Sequence, residues 1–242
     1  MSGHNKWSSI KHKKGKADAL RGRLFSRLVK EITVSTREGG SSPDSNARLR
    51  VAIETAKAQN MPSDNIDRAI KRGTGELDGV TYEEINYEAY GPGGVAILIE
   101  VLTDNKNRAA AEVRHMLTRF GGRLGSRNSV SYLFTRIGQI TLDGTKYSED
   151  SVLEAGLEHG VEDVQTSDGT IVATTSAVKV FEVSDALKAA GLEIESAEVV
   201  KVPETWVQLS EKESAKALAL LEALEENDDV QAVYTNFEMQ DG

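Results

Sequence analysis

The apolar residues change period once along this chain, near Tyr82, and that change limits the folds open to it. Before it, Leu20, Leu24, Leu28 and Ile32, joined by Phe25, recur at helical spacing and form one stripe. Asp18 is a good N-cap for this helix, and the turn-rich Glu38-Gly-Gly-Ser-Ser-Pro43 ends it. A second helix, from Asp44 or Ser45 to Gln59, places Leu49, Ile53 and Ala56 inward and Arg48, Arg50 and Lys57 outward. Asn60-Met61-Pro62 breaks it. Ser63 caps a third helix through Ile66 and Ile70, with Gly73 at the C′ position. Three helices on short turns predict a small bundle over 18–80, preceded by a flexible basic arm over 1–17. A basic three-helix unit is shared with helix-turn-helix DNA binders, but these turns do not match that motif.

After Tyr82 the pattern is of strands with helices between them. Ile85–Tyr90 and Val95–Leu102 flank the turn Gly91-Pro-Gly-Gly94, followed by a helix over Arg108–Phe120 and a strand over Ser129–Phe134. The next stretch has a complete order of its own: strand 137–142, helix 149–158, strand 161–166, strand 170–174, helix 180–190, strand 194–202. That order, β-α-β-β-α-β, is the ferredoxin-like one. The tail adds strand 206–209, helix 211–225 and strand 230–237. The expected fold class is α+β with three domains: the helical domain, then two ferredoxin-like α/β sandwiches, one inserted in the other. The outer sandwich takes 81–134 with 205–242, and the inserted one takes 135–204.

Charge is distributed as unevenly as period. The chain has 29 Lys and Arg against 38 Asp and Glu, a net −9. Yet residues 1–30 carry Lys6, Lys11, Lys13, Lys14, Lys16, Arg21, Arg23, Arg27 and Lys30 against a single acid, Asp18. Residues 1–72 hold 16 basic and 7 acidic side chains; the rest hold 29 − 16 = 13 and 38 − 7 = 31. A basic head on an acidic body points to a polyanionic partner. Arg23, Arg27, Lys30 and Arg37 lie roughly opposite the apolar stripe, so the first helix has a core face and a cationic face.

The chemistry those residues suit is phosphate contact, which brings affinity and steep salt dependence but no sequence choice. Trp7 and His12 add rings able to stack on unpaired bases. Lys106, Arg108, Arg119, Arg123 and Arg127 form a second, smaller basic patch. The Thr103–Arg108 junction of strand and helix suits an anion or a simple N-cap, and Gly91–Gly94 suits a phosphate or a tight turn. Promoter DNA and ribosomal RNA both remain open as partners. An acidic protein meeting the arm is the alternative of a different class.

Several classes are set aside. With no Cys there is no disulfide framework, thiolate nucleophile or Cys-based zinc site. His4, His12, His115 and His159 lie in unrelated contexts, and no nucleophile elbow, Walker motif or dinucleotide fingerprint occurs. No secretory h-region follows the basic start, and the longest apolar run is far short of the ~20 residues a membrane helix needs. A cytoplasmic, non-enzymatic protein is expected, with no cofactor, no metal, no membrane partner and no small-molecule substrate.

Four long stretches together resemble the YebC/PmpR family: MSGHNKWSSIKHKKGKADALRGRLFSRLVKEI, NMPSDNIDRAIKRGTGEL, YEAYGPGGVAILIEVLTDNKNRAAAEVRH and GGRLGSRNSVSYLF. The resemblance runs end to end, with its strong motifs within 1–134. It implies a helical domain followed by two α/β domains, and a role in gene expression. Bacterial members are described as DNA-binding transcriptional regulators. The mitochondrial branch, a translational activator of cytochrome oxidase, and some bacterial members imply instead a factor at the ribosome that aids elongation through proline-rich stretches. The direct start at MSGHNKW, without an Arg-rich presequence, is expected of a bacterial or already processed chain.

Overall fold

The structure is a computed structural model that describes residues 17–238, with side chains from Gly22 onward. In chain order its elements are α1 (Ala17–Gly39), α2 (Ala47–Ala58), α3 (Ser63–Thr74), β1 (Glu83–Tyr90), β2 (Ala96–Thr103), α4 (Lys106–Arg119) and β3 (Arg123–Leu124). There follow β4 (Phe134–Asp143), α5 (Glu149–Gly156), β5 (Val161–Ser167), β6 (Thr170–Ser176), α6 (Val180–Ala189) and β7 (Ile194–Pro203). The last are β8 (Val207–Gln208), α7 (Glu211–Glu225), β9 (Val230–Thr235) and β10 (Phe237–Glu238). The chain is therefore α+β, a helical N-terminal region followed by antiparallel sheets.

The helical stripe forms the first core. Leu28 and Ile32 of α1 pack with Leu49, Ala52, Ile53 and Ala56 of α2, Met61, and Ile66 and Ala69 of α3. Helix α2 starts later than expected because Asn46 caps it, its Oδ1 accepting from Leu49 N–H at 3.0 Å. The Asn46 amide also donates to the Ser35 and Gly40 carbonyls at 2.7 and 2.8 Å, so one buried side chain joins two helix ends. Gly73, expected as the stop of α3, lies within that helix. The stop is Gly75, at φ 82°. A Cβ on Gly73 would lie 2.6 Å from the Thr33 carbonyl oxygen and 2.6 Å from Thr36 Cβ, so the glycine permits close approach of α1 and α3.

Residues up to Leu133 together with those from Pro203 form one compact unit among the described residues, and Phe134–Val202 forms another. In the first, a four-stranded sheet runs β3-β1-β2-β9, with the β1–β2 hairpin at its centre. Strand β2 is buried along nearly its whole length. Helix α4 buries Ala109, Val113 and Leu117, and α7 buries Ala217, Leu220, Leu221 and Leu224. In the second unit the order β5-β6-β4-β7 on a β-α-β-β-α-β chain is the ferredoxin-like arrangement. Its core joins Ile140, Leu142, Val164 and Ile171 of the sheet to Val152, Val180, Val183 and Leu187 of the helices.

Two strands read from the sequence take other forms. Residues 129–134 are not a strand; the segment up to Leu133 is a loop with a 3₁₀ turn, and Phe134 begins β4. The tail strand at 206–209 shrinks to β8, which pairs in parallel with β10 outside the main sheet. The chain leaves the sheet at Asn236, whose Oδ1 accepts from Ala96 N–H at 2.8 Å and so ends the β2–β9 ladder.

Candidate nucleic-acid interface

The expected contacts Lys6, Trp7, Lys11, His12, Lys13, Lys14 and Lys16 lie outside the described residues. Arg21 is on α1, and its side chain lies outside them too. Arg23, Arg27 and Lys30 are described, and all three meet the turn between α7 and β9. Arg23 reaches the Glu226 carbonyl at 3.3 Å and its carboxylate at 3.4 Å. Arg27 donates to the Glu225 carbonyl and, at 3.4 Å, to that of Asn227. Burial holds the Arg27 pKa below the ordinary guanidinium value, although Glu225 opposes the shift.

This docking has a local electrostatic cause. Helix α7 has no basic residue in its last turn; that end carries Glu222 and Glu225, with Glu226 at the cap. The exposed carbonyls and carboxylates there make a strongly negative end. Arg23 and Arg27 supply from α1 the cations that α7 lacks. Lys30 sits one turn on, its ammonium 2.6 Å from Asp229 Oδ1 and 2.9 Å from the Asp228 carbonyl.

Asp229 is a hub. It accepts from Lys30, from Thr103 Oγ1 at 2.8 Å and from Arg108 at 2.8 Å. Burial pushes its carboxyl up, but those three donors outweigh burial and hold the pKa below the usual carboxylate range. The Thr103–Arg108 junction is thus a capped helix start tied to this hub, with Asn105 Oδ1 accepting from Arg108 N–H at 3.0 Å. Arg48 makes a similar knot, bonding Glu31, Glu38 and Glu84 and so joining α2 to α1 and β1.

The five residues of the second basic patch fall at two ends of one helix. Lys106 and Arg108 lie at the start of α4, Lys106 3.6 Å from Glu83 and Arg108 against Asp104 and Asp229. Arg119, Arg123 and Arg127 lie at or beyond its other end, some 20 Å along the axis, and all three are exposed. The Arg123 guanidinium stacks over the Tyr90 ring, 4.6 Å from its centroid.

Glu88 organises this second end, and sequence reasoning passed it over. Its carboxylate is buried and accepts from the backbone N–H groups of Asn128, Val130 and Ser131 at 2.5, 2.7 and 2.8 Å. Burial raises its pKa, but the three N–H groups win and hold it low. Tyr90, two residues on and on the same strand face, donates its hydroxyl to the Ser129 carbonyl at 3.0 Å. Gly125 N–H donates to the Glu88 carbonyl at 2.8 Å. The only signal in the sequence was the pair Glu88 and Tyr90 on the face of β1 away from Ala89.

Gly91–Gly94 is a tight turn, Gly93 lying against Leu209 with φ 65°. Among the described residues no group of three or more His, Asp or Glu could hold a metal ion, and no helix is long and apolar enough to cross a membrane.

Comparison with known proteins adds a family to this geometry. Residues 5–76 match the TACO1/YebC protein N-terminal domain, and residues 82–237 match the TACO1/YebC second and third domain. A probable transcriptional regulatory protein of Persephonella marina is 53% identical over 99% of this chain and 96% of its own. One of Treponema denticola is 53% identical over 100% and 98%. The crystal structure of a conserved hypothetical protein from Aquifex aeolicus superposes with a TM-score of 0.91 at 48% identity, covering 98% of both chains.

Proposed function

Because this chain belongs to the TACO1/YebC family, we propose that it acts as a DNA-binding transcriptional regulator, non-enzymatic and cytoplasmic. The charge of its first thirty residues carries this reading: nine Lys and Arg against one acid. Arg23, Arg27 and Lys30 hold the α7–β9 turn. Nine minus three leaves Lys6, Lys11, Lys13, Lys14, Lys16 and Arg21 as the proposed phosphate contacts, with Trp7 and His12 as proposed stacking groups. Six phosphate contacts on duplex DNA give a log–log salt slope on the order of −5.

A second reading, a ribosome-associated factor that aids elongation through proline-rich stretches, is favoured by α3. A helix-turn-helix docking would place this third helix in a major groove, yet the first half of α3 presents exposed Asp64 and Asp67, which suit few base edges. Ribosome co-sedimentation and promoter-DNA binding, measured side by side at near-physiological salt, separate the two. Promoter binding without ribosome association supports the transcriptional reading; ribosome association with no DNA retention replaces it. Reversal of Lys13, Lys14 and Lys16 to Glu abolishes binding if the arm is the contact, and unchanged affinity would reduce the arm to a tail.

A further inference from the structure

Residues 113–132 contain Arg114, Arg119, Arg123 and Arg127 and no acid, although the chain beyond residue 72 holds 31 acids against 13 bases. All four arginines are exposed. The loop after β3 is held by the buried Glu88 carboxylate through three backbone N–H groups and by the Tyr90 hydroxyl. Asn128 sits at φ 63°, a left-handed conformation that a non-glycine residue adopts at some cost. So the loop is ordered from below, by a strand face, into one shape.

On that support stands Tyr132, 71% exposed and with no partner among the described residues. A ring so exposed leaves its faces open to stack on another π system. Arg127 lies five residues away, within about 18 Å even if the chain were fully extended. Arg123 is held at 4.6 Å over Tyr90, a ring that itself bonds the loop.

We propose that the loop 125–132 binds unpaired nucleotides, Arg123 and Arg127 holding phosphates and Tyr132 stacking on a base. The proposal rests on reading this chain as a nucleic-acid binder, and it names the form of nucleic acid that this second site takes. A duplex offers arginines its phosphates but offers a protruding ring no free base face, whereas an unpaired strand offers both. An acidic peptide would satisfy the arginines and leave the ring unused. Glu88 is a positioning residue, acting through the loop.

The test uses the full chain with labelled, unstructured RNA and DNA strands of one sequence, the corresponding duplex, and poly-glutamate. Tyr132→Ala is expected to weaken single-strand binding about tenfold, Tyr132→Phe to keep it, and both to leave duplex binding unchanged. Replacing Arg123 and Arg127 by Gln lowers the single-strand salt slope by about 1.4. Comparable losses on RNA and DNA show stacking as the shared chemistry, and a loss confined to RNA adds the 2′-hydroxyl to it. Duplex binding with single-strand binding indifferent to Tyr132 overturns this proposal alone. Poly-glutamate competing as well as the strands, independently of Tyr132, overturns it in favour of a protein partner. No retention of any nucleic acid overturns both this proposal and the reading beneath it.

Discussion

Asp229 is 6% exposed at its side chain, yet it is charged, because Lys30, Arg108 and Thr103 converge on it. Replacing Lys30 by Met removes one charged hydrogen bond from a buried carboxylate and is expected to cost about 1.5–3 kcal/mol, read as a lower midpoint in urea unfolding. Asp229 and Glu88 both have depressed pKa values in the folded chain. Their stabilisation is complete above the unfolded carboxylate values of about 4 and is lost as pH falls from there through the lower folded values. The melting temperature is therefore expected to drop below about pH 4, and Asp229→Asn to flatten that drop. Gly73→Ala forces a methyl into the Thr33 carbonyl and Thr36, and overpacking of this kind costs about 1–3 kcal/mol. Thermal melting measures it directly.

Among the elements, α1 differs most between what its sequence displays and what it does. The stripe Leu28–Ile32 is legible, since period 3.6 needs no knowledge of the partner. The cationic face looks like a surface for phosphates, because its partner, the turn 225–229, lies about 200 residues away. The clue was the acidic end of α7, an orientation that the helix dipole disfavours unless cations arrive from elsewhere. Arg27→Leu is expected to loosen that end and speed amide exchange in the last turn of α7, with little change in α2. Residues 129–134 read as a strand for a similar reason, although the segment up to Leu133 is a loop. Its N–H groups are met by one carboxylate where a strand would need a neighbour, and Glu88 reads in sequence as a solvent-facing member of β1. Glu88→Gln leaves a single oxygen to serve three donors and is expected to raise amide exchange across 128–131 while β2 stays protected. By contrast, the β-α-β-β-α-β order of 134–202 was legible from turns and alternation alone, each element being short, local and cleanly bounded.

At the scale of the whole molecule, the chain separates a basic N-terminal stretch from an acidic remainder and ties the junction with internal ion pairs. Those pairs and the proposed phosphate contacts respond to salt differently. The buried Lys30–Asp229 pair is screened little, whereas contacts between solvent-accessible charges and phosphates are screened within about 10 Å at 0.1 M salt. Raising salt from 50 to 200 mM is thus expected to release nucleic acid by at least a hundredfold while the unfolding midpoint moves little. Parallel binding and denaturation series check both.

The ferredoxin-like unit begins on β4 and ends on β7, and those strands are neighbours in its sheet. Just outside them Glu204 N–H donates to the Leu133 carbonyl at 2.9 Å, so the chain departs and returns at one point. A polypeptide spliced there meets no gap to bridge. A gene in which a few glycines join Leu133 to Glu204 therefore encodes a continuous path for the outer sheet, and the excised cassette has termini close enough to be tolerated wherever a surface turn is.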